Sequence, residues 1–174
     1  GVYNAPMMVT KIEDKYGNVL ANFYPESREV ITENTAFLMA NLLQGVVDEG
    51  TGRRLRFRYG FKNQIGGKTG TTQNHSDGWF IGITPDLAGG VWVGAEDRSI
   101  HFQNLANGQG ASMALPIWAK FLLKAYADPR LKMSDRPFDR PAGINKRLDC
   151  DETISEAEVK EMNNGIREDE EEFY

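Results

Sequence analysis

Residues 66–72 read Gly-Gly-Lys-Thr-Gly-Thr-Thr, and their types and spacing are the clearest sign of chemistry in the sequence. One interpretation of a Gly-Lys-Thr run is a phosphate-binding P-loop. A P-loop requires a glycine five residues before the Gly-Lys glycine and a helix directly after the run. Lys62 stands at the first position, and the segment that follows, 78–83, has the pattern of a strand. Both requirements fail, so the sequence excludes a P-loop.

The second interpretation is the Lys-Thr-Gly element of serine acyltransferases that act on penicillins and D-alanyl peptides. On a strand beside a cleft, Lys68 would be a fixed cation that supports proton transfer and attracts an anionic substrate. Gly70 would let a substrate backbone pair with the strand. Thr69 and Thr71 fall on alternate positions, and the Thr71 hydroxyl would bind a terminal carboxylate. The Thr71 N–H would be one of two donors to the oxyanion.

The elements that must position this run follow from hydrophobic spacing. Residues 7–13 and 19–24 predict a hairpin joined by a turn at 14–18. Apolar residues at helical spacing predict a helix that starts after an N-cap at Thr32 and ends at Gly50, a residue tolerant of positive φ. Residues 51–61 are expected to be a loop.

Three segments after that loop predict an antiparallel meander: 64–71, 78–83 and 89–95. A second amphipathic helix is expected over 111–126, with Pro116 in its first turn and Asp128-Pro129 as its stop. Residues 130–148 are expected to be irregular. Ser155 and Glu158 fit a capping box for one short helix.

Several short motifs surround the Lys-Thr-Gly run in one order and at one spacing. They are Leu-Gln-Gly-Val-Val at 43–47, Gly-Thr-Gly at 50–52, Asp-Gly-Trp-Phe-Ile-Gly at 77–82, Val-Trp-Val-Gly at 91–94 and Pro-Ile-Trp at 116–118. Over about residues 1–145 the sequence closely resembles the C-terminal part of the transpeptidase domain of class A penicillin-binding proteins. The resemblance implies an α/β (α+β) fold of the β-lactamase/transpeptidase type, an antiparallel sheet flanked by helices.

That family also uses a Ser-x-x-Lys motif and a Ser-x-Asn motif, which precede Lys-Thr-Gly. None of the six serines here has Lys three residues later or Asn two residues later. We therefore expect the nucleophile, its lysine base and the second motif to lie upstream of Gly1. On this interpretation residues 1–148 are a portion of a larger domain, inactive alone and inclined to associate through uncovered apolar surface unless the rest of the domain is bound.

The resemblance implies that the parent protein is a bifunctional peptidoglycan synthase with a glycosyltransferase domain and one N-terminal membrane helix. It would act at the extracytoplasmic face of the bacterial inner membrane. Its partners would be the D-Ala-D-Ala end of a stem peptide, β-lactams, and the N-terminal remainder of the same domain, with no cofactor. Lys68 would be the catalytic residue, and Thr69, Gly70 and Thr71 the substrate-binding residues.

Charge divides the sequence of 174 residues into two parts. Residues 149–174 carry 11 acidic and 2 basic side chains, whereas residues 1–148 carry 14 acidic and 18 basic. The last segment is therefore expected to be a solvated, partly disordered acidic tail. One cysteine and two histidines argue against a cysteine or histidine metal site. The sequence pI of about 5.1 argues against nucleic acid as a partner.

Other residues have simpler interpretations beside their functional ones. We expect Trp79, Trp92 and Trp118 to pack in the core, Asp77 to be a buried hydrogen-bonding group, and His75 to be a solvated loop residue. The arginines of the predicted loop are expected to be ordinary solvated charge; they are Arg53, Arg54, Arg56 and Arg58. The Gly-Thr-Gly segment at 50–52 either shapes the cleft through its backbone or simply stops a helix.

Two alternatives to the transpeptidase stay open. One is a related hydrolase, a β-lactamase or D,D-carboxypeptidase, although the Pro-Ile-Trp and Gly-Thr-Gly segments favour the synthase. The other is a catalytically silent module kept for interactions, with the acidic tail as its contact. The sequence upstream of Gly1 discriminates among the three.

Overall fold

The computed structural model describes residues 1–144 and Leu148, and Gly1–Ile144 form one unit. The expected acidic tail, the domain boundary after residue 148 and the capping box at Ser155 lie outside the described residues. The elements are β1 (Val2–Asn4), β2 (Lys11–Glu13), β3 (Val19–Asn22), β4 (Ser27–Glu29), α1 (Glu33–Asp48), α2 (Arg54–Phe57), β5 (Gly66–Thr71), β6 (Gly78–Ile83), β7 (Ala88–Val93), α3 (Leu105–Gly108) and α4 (Gly110–Ala127). The mixed helix and strand fold with antiparallel sheets confirms the predicted class.

The N-terminal hairpin forms around the carboxylate of Asp14. This group accepts hydrogen bonds from the Tyr16 and Asn18 backbone N–H groups at 2.8 and 2.9 Å, and Gly17 takes a φ of 87°. Strands β2 and β3 pair antiparallel across this turn, as predicted, but β2 begins only at Lys11. A second antiparallel ribbon, in which β1 pairs with β4, was not predicted.

Helix α1 begins as predicted, because the Thr32 side chain accepts a hydrogen bond from the Thr35 N–H. The helix ends at Asp48, but the reason expected for Gly50 is wrong, since the positive-φ glycines of the described residues are Gly17 and Gly60. A Cβ at Gly50 would lie 2.9 Å from the Val46 carbonyl oxygen. Lack of space against the end of α1 therefore requires this glycine. The expected loop after it contains the short helix α2.

Strands β5, β6 and β7 form the predicted antiparallel meander, in that spatial order. Lys68 pairs with Ile81, Gly70 with Trp79, and Trp79 with Trp92. Because side chains alternate along a strand, Phe80 and Gly82 point to one face of this sheet and Trp79 and Ile81 to the other. The first face carries the core.

Helix α4 covers the first face of the sheet. The indole of Trp118 is 1% exposed, lies edge-on to Phe80 with ring centroids 5.2 Å apart, and donates to the Gly89 carbonyl at 3.1 Å. The helix stops at Ala127 before Asp128-Pro129, as predicted. Pro116, however, is the seventh residue of the helix, so its expected placement in the first turn is wrong.

The expectation that all three tryptophans are core residues is confirmed only for Trp118. Trp79 and Trp92 are 44% and 47% exposed, because they lie on the sheet face opposite α4. Their rings contact each other at a centroid distance of 6.4 Å. Across residues 1–144 and Leu148, no helix has both the length and the apolar character needed to traverse a bilayer.

Candidate active site

Strand β5 presents its Lys-Thr-Gly-Thr run on two faces. Lys68 and Gly70 point to the tryptophan face of the sheet, and Thr69 and Thr71 point to the α4 face. The exposed Lys68 ammonium donates to the Thr69 carbonyl oxygen at 2.9 Å. Within the part of the chain that the structure describes, β5 is an edge strand, since it pairs only with β6. The unpaired backbone groups of an edge strand are the kind to which an added peptide strand can bind.

The Thr71 hydroxyl is held by the start of α4. The Gly110 N–H donates to Thr71 Oγ1 at 3.1 Å. This contact requires glycine, because a Cβ at Gly110 would collide with the carbonyl oxygens of Gly70 and Trp79. Gly110 was not predicted as a site residue, although a glycine directly before a predicted helix was the available signal.

The Thr69 hydroxyl is held by the Gly-Thr-Gly segment. Thr51 Oγ1 lies 2.8 Å from Thr69 Oγ1, and either atom can be the donor. Gly52 brings Thr51 there by folding the chain against α1, where its N–H donates to the Val46 carbonyl at 2.9 Å. Two interpretations were left open for this segment, one through its backbone and one as a helix stop. The structure adds a third feature, because the Thr51 side chain contacts the Lys-Thr-Gly strand directly.

The arginines after this segment are not all solvated, contrary to the sequence-based expectation. Arg54 is partly buried, and its Nη1 donates to the Ala111 carbonyl and to Ser112 Oγ, both at 2.9 Å. Arg56 binds the Asp48 carboxylate at 2.6 Å. Arg54 thereby connects α2 to the first turn of α4, and was not identified as a site residue.

Asp77 organises the turn between β5 and β6, as predicted for a buried hydrogen-bonding group; it is 9% exposed. Its carboxylate accepts hydrogen bonds from Trp92 Nε1, Thr72 Oγ1 and Ser76 Oγ, each at 3.0 Å. These bonds, that from the Trp92 indole above all, hold the pKa of the Asp77 carboxyl below its usual value. Arg98 lies 3.8 Å away and is exposed, so it adds little.

His75 is half-buried and its Nδ1 is shielded from solvent, so the expectation of a solvated loop histidine is wrong. Both Asn74 and His75 have positive φ angles, 57° and 56°, and within residues 1–144 and Leu148 the buried His75 Nδ1 has no hydrogen-bond partner. An apolar cavity of about 360 Å³ lies nearby. It is lined by Ser76, Val93, Gly94, Ala95, Ile100, His101 and Phe102.

Four of the serines have hydroxyls engaged in contacts that stabilise the fold. Ser27 donates to Asn4, Ser76 to Asp77 and Ser134 to Asp86, while Ser112 accepts from Arg54. Among the described residues, no three His, Cys, Asp or Glu side chains are grouped closely enough to hold a metal ion. The exposed Lys68 ammonium and the hydroxyls of Thr69 and Thr71 give β5 a positive charge and hydrogen-bonding groups.

The chain is similar to a known family of proteins. The family model for the penicillin-binding protein transpeptidase domain matches residues 1–114. Penicillin-binding protein 1A of Aquifex aeolicus is 35% identical over 67% of this chain, and that of Pseudomonas aeruginosa is 35% identical over 73%. The chain covers 15% of each of these two relatives, and so spans a small part of their length.

A solved structure has the same fold. Penicillin-binding protein 1A from Haemophilus influenzae superimposes with a TM-score of 0.66 at 24% sequence identity. The match covers 80% of this chain and 25% of that one. The predicted transpeptidase-type architecture is thus confirmed, as a partial domain.

Proposed function

The chain belongs to the penicillin-binding protein transpeptidase family, and we propose that it supplies the Lys-Thr-Gly part of a serine D,D-transpeptidase active site. The substrate is a peptidoglycan stem peptide that ends in D-Ala-D-Ala. The rest of the site, including the nucleophilic serine, comes from sequence upstream of Gly1. The N-terminal remainder of the same domain is therefore the first partner of this chain.

The observation that carries this proposal is the arrangement of donors on strand β5. Among the described residues the strand pairs on one side only. It carries an exposed ammonium at Lys68 and two threonine hydroxyls that are held from outside the strand, at 2.8 Å by Thr51 and at 3.1 Å by Gly110. A peptide that pairs with this edge brings its terminal carboxylate to Thr69 and Thr71. Gly70 gives such a peptide close access on the other face.

The reaction is acyl transfer in two steps. The upstream serine oxygen attacks the carbonyl carbon of the penultimate D-alanine, and its proton passes to an upstream base. The Thr71 N–H helps to stabilise the oxyanion before the C–N bond breaks and D-alanine leaves with a proton on its amine. An amine from a neighbouring strand then opens the serine ester and releases the serine. Lys68 contributes positive charge beside these proton transfers.

The proposal extends to the parent protein. We propose a bifunctional peptidoglycan synthase with a glycosyltransferase domain, anchored by an upstream membrane helix at the extracytoplasmic face of the inner membrane. β-Lactams acylate the same serine. Neither a metal nor an organic cofactor takes part in the peptide transfer.

Labelling with a fluorescent penicillin tests the proposal. We expect no covalent label on the 174 residues alone, and a label on the chain extended upstream through both serine motifs. In the extended chain, Lys68→Ala should slow labelling by about a hundredfold, a usual size for loss of proton-transfer assistance. Lys120→Ala, which removes an exposed lysine of α4, is the matched control.

Different results would contradict different parts of this proposal. A label on the isolated chain would mean that the nucleophile is not upstream. An extended chain that carries both motifs and stays unlabelled would reject the enzyme, and absence of the motifs would favour a silent module. Hydrolysed rather than cross-linked peptide products would favour a carboxypeptidase, and turnover of the penicillin without a lasting label would favour a β-lactamase.

A further inference from the structure

We propose that Thr51 is a positioning residue that sets the hydrogen-bond direction at the carboxylate site. Its hydroxyl donates to Thr69 Oγ1, which leaves the Thr69 proton directed outward, toward the terminal carboxylate of the substrate. The inference rests on the proposed function, since it concerns how the same strand recognises the anionic end of a stem peptide.

Each of the two threonine hydroxyls carries a single proton. Thr51 Oγ1 and Thr69 Oγ1 lie 2.8 Å apart, so one proton occupies the space between them. If Thr69 donates, its lone pairs face any incoming ligand and repel a carboxylate. If Thr51 donates, the Thr69 proton is available to the carboxylate, and the bond from Thr51 strengthens that donation through polarisation.

Thr71, two residues along the same face, shows the hydrogen-bond direction that an anion requires. Its partner at 3.1 Å is the Gly110 backbone N–H, which can only donate. Thr71 Oγ1 is therefore an acceptor toward α4, and its own proton is free to point to a ligand. A carboxylate that binds between Thr69 and Thr71 needs both hydroxyls as donors, which requires Thr51 to donate.

The segment around Thr51 is built to keep its side chain in place. Gly50 and Gly52 fold back on the end of α1, where a Cβ at either position would lie within 3.1 Å of the Val46 carbonyl oxygen. Three residues after Thr51, the guanidinium of Arg54 holds the first turn of α4 at Ala111 and Ser112. The same short connector thus supports the partners of both Thr69 and Thr71.

The test measures acylation of the full-length protein by a fluorescent penicillin and by the methyl ester of the same compound. Thr51→Val should lower the second-order acylation rate for the carboxylate compound by about tenfold, the size expected for weakening one hydrogen bond to a charged group. The rate for the ester should change by less than about twofold, because no anion is present. Thr51→Ser, which keeps the hydroxyl, should restore most of the rate.

Two comparisons separate this role from a structural one. Thr10→Val, at another exposed threonine, should leave both rates unchanged. If Thr51→Val lowers the acylation rate equally for the carboxylate and the ester, the inference is overturned, because equal losses of rate would indicate a general distortion of the site. No loss for either compound, or a faster reaction of the variant with the carboxylate, would also overturn it. If the wild-type protein is not acylated, the proposed function itself fails.

Discussion

At the scale of single residues, Asp77 has the best-defined role. Its carboxylate connects the turn after β5 to Trp92 on β7, and its backbone N–H and C=O pair with Thr72. Since Thr72 directly follows Thr71, these bonds fix the end of the strand that carries the site. The hydrogen bonds lower the pKa of the carboxyl in the folded state.

A lowered folded-state pKa has a definite consequence for stability. The stabilisation by Asp77 is fully present above the unfolded-state pKa of about 4, and it is lost as pH falls through the lower folded-state pKa. We therefore expect Asp77→Asn to have a lower melting temperature than the wild type at neutral pH. The difference between the two melting temperatures should shrink as pH decreases below about 4. Thermal unfolding of both proteins between about pH 7 and pH 2 measures this difference.

The variant must be compared with the wild type because other carboxyls also make stability fall as pH decreases. Asp14, Asp86, Asp97 and Asp128 also have lowered pKa values, through hydrogen bonds to nearby N–H and hydroxyl groups. Their contributions cancel in the difference. A gap between Asp77→Asn and wild type that persists unchanged at low pH would show that the charge of Asp77 is not what stabilises the turn.

At the scale of elements, the packing of α4 on the sheet depends on small residues beneath it. Gly82 lies under the Trp118 indole, and a Cβ there would collide with the ring. Gly78 and Gly110 permit similar close approaches, at Met113 and at the backbone of β5 and β6. The helix therefore lies near enough to the strands for the Gly110 N–H to reach Thr71.

We expect Gly82→Ala to destabilise the fold by about 1–3 kcal/mol, because the buried indole must shift to admit a methyl group. Gly90→Ala is the matched control on the neighbouring strand, where a Cβ would make ordinary contact with Ile81 at 3.5 Å. That change should be neutral or stabilise by up to about 1 kcal/mol, because alanine loses less entropy in a strand. Urea unfolding measures both, and equal effects would contradict this account of the packing.

At the scale of the whole molecule, the described residues leave much apolar surface in contact with solvent. Trp79, Ile81 and Trp92 lie together on the sheet face opposite α4, with exposures of 44–53%. We propose that the upstream remainder of the domain covers this face. Exposed patches of this kind commonly mark interfaces or promote association.

We therefore expect the isolated chain to self-associate in a concentration-dependent way, and the chain extended upstream to be monodisperse. Replacing Trp79 and Ile81 together by Thr should reduce association, whereas replacing Trp118, which is in the core, should unfold the protein. Analytical ultracentrifugation measures the association. A dilute wild-type chain that sediments as a monomer and melts cooperatively would contradict the prediction.

The sequence by itself determined the order of the hairpin, the two long helices and the three-stranded meander, and it predicted which strand carries the site. Local signals suffice for these features: Thr32 caps α1, Asp14 and Gly17 turn the hairpin, and alternating residues define β5, β6 and β7. The surrounding motifs identified the family, and the Asp77 pattern indicated a buried acceptor. The roles of Lys68, Thr69, Gly70 and Thr71 stay predictions until acylation is measured.

Only the tertiary structure decided which groups meet at that strand. Thr51 and Thr69 are 18 residues apart, and Gly110 and Thr71 are 39 apart, so no local pattern could pair them. Helical and strand periodicity also cannot say which face of a sheet is covered, and this is why Trp79 and Trp92 were wrongly expected in the core. A hydrogen bond between distant residues depends on where the chain returns, and the packing of α1 and α4 on the sheet sets that return.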